Sequence, residues 1–483
     1  MMNMFCRPER SEGPAFHPRK SRTYPSLRSR AGAALRTTIA LAIACIAPNV
    51  AAQAPPRFHL VTLDPGHFHA SLVQKFMYDD VDSVVHVFAP RGGDVSEHLK
   101  RIDAFNARLD RPTHWAERVY TGDDFLDRML AAKAGNIVVI AGNNARKTEY
   151  IARSIGAGFN VLADKPMART PADVVRLEHT FKVAKDRHVL LYDIMTERSE
   201  VTTQLQRELS MRPDVFGTLV KGTPDDPAIT MVSAHYFSKV VAGTQLKRPE
   251  WFFDVRQEGE GIVDVTTHLV DLVQWEAFPD RALHPSDVTM LHARRWPTSI
   301  TREQFSRLTG AGDFPTSLRR DVKDGVLQVN SNGEMTYRVR GVHAHISVVW
   351  SFEASHGGDT HYSRMRGTKS TLVIQQGEKE HWTPVLYVEK DPSIDDAAHE
   401  AALRSAVSSL QVRFPSIGLR RDGNRWAVTI PPVFDVGHEA HFAEVTNRFL
   451  GYLRGTPMPA WEVPNMITKY ATIMRAYTMS GGH

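Results

Sequence analysis

The sequence predicts an α/β protein in which a Rossmann-like parallel-sheet domain precedes an α+β domain with a large, mainly antiparallel, open-faced sheet. Two observations support this prediction. Short apolar runs alternate with amphipathic helical segments over residues 55–194, which is typical of β-α-β units. From residue 195 to 483, strand-like segments and turn signals dominate instead. The chain has 483 residues, which is enough for two or three domains.

Residues 1–54 have the features of an export signal. A basic stretch is followed by an apolar run at residues 39–47 and by Ala52-Gln53-Ala54, a pattern that signal peptidase accepts. The run is too short to cross a membrane, which takes about 20 residues. We therefore expect cleavage after Ala54, a periplasmic or secreted protein, and no stable membrane span. Both cysteines, Cys6 and Cys45, lie in this leader, so the mature chain would have no thiol chemistry.

The distribution of charge argues against a nucleic-acid partner. The whole chain has a net charge of +5, but the leader alone contributes +6, from eight basic and two acidic residues. Residues 55–483 therefore carry a net charge of −1. Because a nucleic-acid binder needs a basic surface, the main part of the chain does not fit that class.

Five short apolar runs predict the strands of the first domain. They are residues 58–63, 84–88, 137–140, 159–163 and 189–192. Helices are predicted over residues 145–155 and after Thr170-Pro171-Ala172-Asp173, which is close to a capping box. Because parallel sheets bind ligands beyond the carboxyl ends of their strands, the site is expected among four short stretches. These are residues 64–69, 89–90, 141–144 and 164–166.

The second domain is predicted from β-rich segments and a few helices. We expect Asn332-Gly333 and Asp422-Gly423 to form hairpin turns. The predicted strands are residues 215–221, 325–331, 335–340, 342–352, 371–374 and 426–430. The predicted helices are residues 261–275, 395–410, 441–453 and 466–479.

Two groups of residues suggest catalytic chemistry. Lys165, in Ala163-Asp164-Lys165-Pro166, follows a parallel strand and would lie on the ligand side of the sheet, although it could equally be a solvated turn lysine. Asp264 and His268 are four residues apart on a predicted helix, so they share one face within apolar surroundings. Such a pair can act as a general acid and base, or it can be a structural hydrogen bond. We expect Lys165 to be partly exposed to solvent.

These features resemble the Gfo/Idh/MocA family of oxidoreductases. That family has Glu-Lys-Pro after the β-α-β domain and Asp-x-x-x-His on a helix of the second domain. Lys165, Asp264 and His268 fall on those positions. The resemblance covers most of residues 57–480 and is carried by VVIAGNN and GFNVLADKPMA within residues 138–168, by GEGIVDVTTHLVDLVQW at residues 259–275, and by HFAEVTNRFLGYLRGTPMPAW near the end.

The resemblance implies a fold, a cofactor and roles for residues. It implies a Rossmann domain, bound NAD or NADP, a sugar or polyol substrate, and a homo-oligomer formed through the second sheet. Lys165, Asp264 and His268 would be catalytic, with Asp264 fixing the tautomer of His268. The expected cofactor-binding residues are Gly66, His67, Phe68, His69, Asn143, Asn144 and Lys165. Independently of the resemblance, His235, Tyr236 and Lys239 are the expected substrate-binding residues, because they lie shortly before the predicted helix at residues 261–275.

The cofactor signals depart from the family pattern. The family's G-x-G-x-x-G is replaced by Asp64-Pro65-Gly66-His67-Phe68-His69-Ala70, which has one glycine, and the expected acidic residue after the second strand is replaced by Ala89-Pro90. Asp64, His67 and His69 could instead hold a metal, but hydrogen bonding to a ligand is favoured, so no metal site is predicted. A second His-x-His, at His343 and His345, is expected to lie on a solvated sheet face.

Three functions remain open from the sequence. The first is an exported oxidoreductase that acts on a sugar or sugar derivative with bound NAD(P), with or without a net redox change. The second is a nucleotide-free lyase, isomerase or hydrolase on the same scaffold, with or without a metal at His67 and His69. The third is a non-catalytic sugar-binding protein. The aromatic residues Trp251, Phe252 and Phe253 could stack on a sugar, but packing is the favoured interpretation.

Overall fold

The computed structural model describes residues 57–241, 244–354, 356 and 358–482. The predicted export signal and its cleavage site therefore lie outside the described residues. Within the part of the chain that the structure describes, no helix is both long and apolar enough to cross a membrane.

The first half forms a six-stranded parallel sheet in the order β3-β2-β1-β4-β5-β6, as the sequence predicts for a Rossmann domain. The two central strands, β1 and β4, are fully buried and almost entirely aliphatic, which is typical of parallel sheets covered on both faces. Its strands are β1 (Leu60–Leu63), β2 (Val84–Ala89), β3 (Ala116–Thr121), β4 (Ile137–Ile140), β5 (Asn160–Asp164) and β6 (Leu191–Ile194). Its helices are α1 (His69–Leu72), α2 (Gly93–Ala107), α3 (Phe125–Ala132), α4 (Lys147–Gly156) and α5 (Pro171–Asp186).

Two local features of this domain test the sequence analysis. The capping box that begins α5 is confirmed, because Thr170 Oγ1 accepts from the Asp173 amide at 3.2 Å and Asp173 Oδ2 accepts from the Thr170 amide at 3.0 Å. Strand β3 is not predicted from the sequence. It is an edge strand with no fully buried residue, so it lacks the apolar run that marks the other strands.

The second half is built on a ten-stranded sheet in which β13 and β7 are the only parallel neighbours within the described residues. The main path runs β10-β12-β13-β7-β14-β15-β16-β18-β17, with β11 paired to β12, while β8 and β9 form a separate short hairpin. The strands are β7 (Ile229–Ser238), β8 (Val240–Val241), β9 (Thr244–Gln245), β10 (Val288–Ile300), β11 (Val322–Lys323), β12 (Val326–Val339), β13 (Val342–Glu353), β14 (Thr360–Arg366), β15 (Ser370–Gln376), β16 (Val385–Lys390), β17 (Gly418–Asp422) and β18 (Arg425–Thr429). The helices are α6 (Val201–Ser210), α7 (Thr266–Ala277), α8 (Arg302–Thr309) and α9 (Asp396–Leu410).

The hairpin predicted at Asn332-Gly333 is wrong, because β12 runs straight through these residues. Gly333 does not form a turn; it allows the chain around Ile262 to pack closely against β12. A Cβ on Gly333 would come within 2.5 Å of Ile262 Cβ, and a Cβ on Gly261 would overlap the carbonyl oxygen of Ser331. The segment that leads into α7 therefore rests directly on the backbone of β12.

We expect Gly261→Ala to destabilise the protein, because the new methyl group has no space beside Ser331. Overpacking of this kind costs about 1–3 kcal/mol. Gly312→Ala is the matched control, since no atom lies within 4 Å of a Cβ built there. Thermal unfolding of both variants tests the prediction, and equal melting temperatures would contradict the close packing described above.

The strand predicted at residues 215–221 is also wrong. The Val215 and Phe216 amides both donate to the Arg212 carbonyl, so this part of the segment is a turn. Within residues 215–221, only Leu219 forms a β-bridge, an isolated one to Gly367. Val215 and Phe216 are nevertheless buried, so an apolar run can cover the core from a turn. Strand β10 was missed for a different reason. It is an edge strand in which only Val288 and Ile300 are fully buried, and its register is irregular around Pro297.

The two last helices return to the first domain. Helix α10 (His438–Leu453) packs on α1 and β6, and α11 (Glu462–Met479) packs on α5, α7 and β10. A buried ion network connects these elements through Arg198, which binds Asp271 at 2.6 Å and Glu462 at 3.0 Å, and through Lys469, which binds Asp193 at 2.6 Å. The network ties α7 and α11 to the carboxyl end of β6.

Candidate active site

The carboxyl edge of the parallel sheet carries the residues expected there. His67 and His69 follow β1, Asn143 follows β4, and Lys165 follows β5. Two of the loops touch, because a Cβ on Gly142 would overlap the Asp64 carbonyl oxygen. These side chains therefore share one sheet edge, as predicted, whereas Asn143 is not among the residues that line the cavity beside it.

A cavity of about 880 Å³ opens beside this edge. Its walls come from the parallel sheet, from the end of β7, from α7 and from the start of α10. This volume lies in the usual range for small-molecule sites. The cavity is lined by all three predicted catalytic residues and all three predicted substrate residues: Lys165, Asp264, His268, His235, Tyr236 and Lys239.

Lys165 forms a buried ion pair with Asp264. Only 8% of Lys165 is exposed, so the expectation of a partly solvated lysine is wrong. Burial by itself would lower the pKa of Lys165, but the carboxylates of Asp264 and Asp164 raise it above its usual value. The lysine is therefore a fixed cation in the cavity wall.

His268 lies one turn after Asp264, on α7. The expected Asp264–His268 hydrogen bond is not among the hydrogen bonds of the described residues. His268 Nδ1 is instead buried without a hydrogen-bond partner, because Asp264 points to Lys165. Burial lowers the pKa of His268 to about 4, although the Glu197 carboxylate acts in the opposite direction. The imidazole is consequently neutral near pH 7 and able to accept a proton.

The acidic partner of His67 and His69 is Asp164, and not Asp64 as considered from the sequence. His69 Nδ1 lies 2.9 Å from Asp164 Oδ2, and His67 Nδ1 lies 3.9 Å from the same oxygen. Asp64 faces away from the histidines and accepts a hydrogen bond from the Tyr150 hydroxyl at 3.1 Å. The group Asp64, His67 and His69 therefore does not assemble, whereas His67, His69 and Asp164 do.

The sheet side of the cavity has its own hydrogen-bonded chain. His235 Nδ1 lies 3.0 Å from Asp359 Oδ2, and Ser233 Oγ lies 2.7 Å from His235 Nε2. Because an ionised carboxylate only accepts, the proton lies on Nδ1 and Ser233 donates to Nε2. Lys239 Nζ also binds Asp359, at 2.8 Å. His235 and Lys239 are thus held in place at the cavity wall.

Three cavity residues were missed in the sequence analysis: Glu197, His438 and His441. Glu197 follows β6, and its Oε1 lies 3.4 Å from His438 Nδ1 at the start of α10. Burial favours a high pKa for Glu197, but the hydrogen bond from His438 holds this pKa well below its usual value. The strand-end rule applied to β6 would have found Glu197. Nothing in the sequence indicates that α10 folds back onto the site.

The cofactor side of the sheet edge also contains an acidic residue that the sequence analysis missed. Asp94, in the first turn of α2, has its Oδ2 2.9 Å from a Cβ built on Gly66. It accepts a hydrogen bond from Trp251 Nε1 at 2.7 Å. No acidic residue stands at Ala89-Pro90 itself, and Asp94 follows Pro90 by four residues, beyond a loop. Phe252 and Phe253, by contrast, are buried in an apolar cluster, as the packing interpretation predicts.

Asn143 and Asn144 lie at the same edge and are already hydrogen-bonded to the second domain. Asn143 Nδ2 donates to Gln257 Oε1 at 2.7 Å, and Asn144 Nδ2 donates to the Glu258 carbonyl at 2.7 Å. Burial raises the pKa of Glu258 to about 8. These contacts attach the segment before α7 to the cofactor edge, and they place Asp264 opposite Lys165.

Comparison with known proteins identifies the class of protein. Residues 93–192 match the family described as "Oxidoreductase family, NAD-binding Rossmann fold", and residues 205–481 match "Putative oxidoreductase C terminal domain". The protein is therefore an NAD(P)-dependent oxidoreductase with an NAD-binding Rossmann domain. It belongs to the Gfo/Idh/MocA family of oxidoreductases. No curated protein matches the chain.

Solved structures agree with this assignment. A putative oxidoreductase from Parabacteroides merdae ATCC 43184 is 50% identical, with a TM-score of 0.86 over 89% of this chain and 98% of that one. WlbA dehydrogenase from Bordetella pertussis, solved with NADH and UDP-GlcNAcA, is 14% identical, with a TM-score of 0.51 over 88% of this chain and 96% of that one. A levoglucosan dehydrogenase, solved with NADH and L-sorbose, is 12% identical, with a TM-score of 0.53 over 88% and 96%. These matches do not favour a nucleotide-free lyase, isomerase or hydrolase.

Proposed function

We propose that the protein oxidises a hydroxyl group of a sugar or sugar derivative, or reduces the corresponding ketone, with bound NAD. The observation that carries this proposal is the convergence of Lys165, which follows β5, and of Asp264 and His268, before and at the start of α7, on one cavity. Sugar-type ligands in the distant structural neighbours support the choice of substrate class.

The residues at the sheet edge suit a dinucleotide. A Cβ on Gly66 would lie 2.9 Å from Asp94 Oδ2 and 2.9 Å from Trp251 Cζ2, so the glycine lets Asp94 lie close to the loop backbone. The Asp94 carboxylate is of the type that binds a ribose diol. The Trp251 indole donates a hydrogen bond to the Asp94 carboxylate. We expect a ribose hydroxyl to replace the indole as the donor when the nucleotide binds. When bound, the nicotinamide supplies the hydride chemistry.

The chain's own residues handle the proton and the charge. The neutral His268 takes the proton of the substrate hydroxyl, and Lys165 stabilises the negative charge that develops on the oxygen. Asp264 holds the Lys165 ammonium group in position instead of fixing the tautomer of His268. On the opposite wall, Lys239 binds further sugar hydroxyls with its remaining donors, and His235, held by Asp359 and Ser233, packs beside them.

The position of Asp94 predicts a preference for NAD over NADP, because a carboxylate repels a 2′-phosphate. We expect Asp94→Ser to weaken NAD binding and to reduce the preference by at least about 10-fold, which is about 1.4 kcal/mol. Asp110→Ser is the matched control, since that side chain is 86% exposed. Isothermal titration with both nucleotides measures the effect. Unchanged selectivity in Asp94→Ser would remove Asp94 from the nucleotide site.

We also propose that the protein is exported and keeps its nucleotide, since free NAD is scarce outside the cytoplasm. A retained nucleotide would be reduced and reoxidised in place, which allows reactions with no net redox change. We expect the mature chain from the native host to begin near Pro55, after the Ala52-Gln53-Ala54 pattern. Amino-terminal sequencing tests this. A native chain that still carries Arg28 and Arg36 would contradict export.

Homo-oligomerisation through the second sheet is part of the same proposal. The sheet face opposite the main core carries Tyr362 and Val385, which are only partly buried. Such a face can be covered by a second copy of the chain. Light scattering of the purified protein measures the number of copies directly, and a monomer would contradict the proposal.

A further inference from the structure

Three departures from the family pattern come together in space. Two are His67 and His69, which stand in the loop where the family has its glycine-rich motif. The third is Asp164, which stands where the family has the glutamate of Glu-Lys-Pro. His69 and Asp164 are 95 residues apart in the chain, yet their side chains are in hydrogen-bond contact. Three separate changes that meet at one point indicate a shared role.

The geometry of the three side chains suits a metal ion. One ligand atom from each residue lies within 4.8 Å of the other two. Asp164 Oδ2 lies 2.9 Å from His69 Nδ1 and 3.9 Å from His67 Nδ1. An ion with metal–ligand bonds of about 2.0–2.2 Å needs ligand atoms at such separations. The cluster therefore requires only small side-chain movements to coordinate an ion.

The neighbouring cations are already paired with other groups. Lys147 Nζ donates to the carbonyl oxygens of Asp164 and Lys165, at 3.1 and 3.3 Å. Lys165 itself is paired with Asp264. The Asp164 carboxylate is consequently left to the two histidines.

We propose that His67, His69 and Asp164 bind one divalent transition-metal ion, of the class that includes Zn²⁺, Mn²⁺ and Fe²⁺. Two imidazoles and one carboxylate are a common ligand set for such ions, and they leave positions open for another ligand. Both histidines line the cavity, so the open positions face it. In the cavity the ion binds a substrate oxygen next to Lys165. This role rests on the proposed function, whereas the binding of the ion by the three side chains does not.

The chain provides a matched control for the spacing of the histidines. His343 and His345, on β13, have the same His-x-His spacing. Their ring nitrogens are engaged by the Lys221 carbonyl at 3.2 Å and by Thr336 Oγ1 at 3.0 Å. This pair is not among the candidate metal clusters of the described residues. Its replacement removes as many histidines as the loss of His67 and His69.

The experiment uses the tag-free full chain after treatment with a chelator. Zn²⁺ and Co²⁺ are each titrated alone, and bound metal is counted by equilibrium dialysis with elemental analysis. Visible absorption of bound Co²⁺ reports nitrogen ligands. We expect one equivalent in the wild-type protein and in His343→Ala/His345→Ala. In His67→Gln/His69→Gln the affinity for the metal ion should fall by more than about 100-fold. Loss of a hydrogen bond that only supports a ligand costs about 10–100-fold, so a larger loss indicates direct ligands.

Each other outcome overturns the proposal. A folded wild-type protein that binds neither Zn²⁺ nor Co²⁺ has no such site. Equal binding by the wild type and His67→Gln/His69→Gln would place the ion elsewhere, and loss of binding in the His343 and His345 variant would do the same. Circular dichroism confirms that each variant is folded, and His67→Gln alone replaces the double variant if that fails to fold. Because no nucleotide or sugar is present, failure here leaves the NAD titration unaffected.

Discussion

Replacing Lys165 by methionine should lower both turnover and stability. Turnover should fall by about 10²–10³, since the cation that stabilises the developing charge on the substrate oxygen is removed. The free energy of unfolding should fall by about 3–5 kcal/mol, because Asp264 is left as an unpaired charge in a buried site. Steady-state kinetics and chemical denaturation measure the two effects separately.

The double variant Lys165→Met/Asp264→Asn separates catalysis from folding. With the unpaired carboxylate also removed, most of the stability should return, whereas turnover should remain low. Recovery of both properties would mean that Lys165 acts only through the ion pair. Near-wild-type turnover in Lys165→Met would remove the lysine from the mechanism.

The second large effect concerns His268. Replacing it by glutamine should lower turnover by about 10²–10⁴, which is the usual contribution of a general acid or base. The wild-type rate of alcohol oxidation needs the neutral imidazole, so it should rise with pH through the His268 pKa, about 4, and be level above it. Burial lowers this pKa most strongly; the Glu197 and Asp264 carboxylates raise it, and Lys165 and His438 lower it.

A pH–rate profile of the wild type and of His268→Gln tests this assignment. The acidic limb should lie well below 6.5, the ordinary pKa of histidine, and should be absent in the variant. His98→Gln is the control, because that histidine is also buried but lies on α2, outside the cavity residues. A limb that persists unchanged in His268→Gln would assign it to another group.

Much of the site could be predicted because it depends on strand ends. His67, Asn143 and Lys165 each follow an apolar run, and the parallel topology brings all such ends to one edge. Asp264 and His268 are close because they are one turn apart. The ion pair between Asp264 and Lys165 was not predictable, since it depends on how the segment before α7 packs on β12.

The residues that were missed owe their places to tertiary contacts. Asp94 reaches Gly66 only because a loop separates β2 from α2, and the loop moves the carboxylate away from the expected position. His438 reaches Glu197 because α10 packs on β6, about 240 residues earlier in the chain. Asn332-Gly333 was misjudged since the same dipeptide serves a tight turn or a close approach of two backbones.

The transfer of hydrogen from a sugar carbon to the nicotinamide tests the central claim most directly. The protein is incubated with NAD and with sugars that are deuterated on every carbon. It is then denatured, and the mass of the released nucleotide is measured by mass spectrometry. We predict nicotinamide nucleotide that carries one deuterium, and no such label in His268→Gln over the same time. Bound nucleotide that never gains deuterium from any hexose, polyol or uronic acid, or no bound nucleotide at all, would contradict a sugar oxidoreductase.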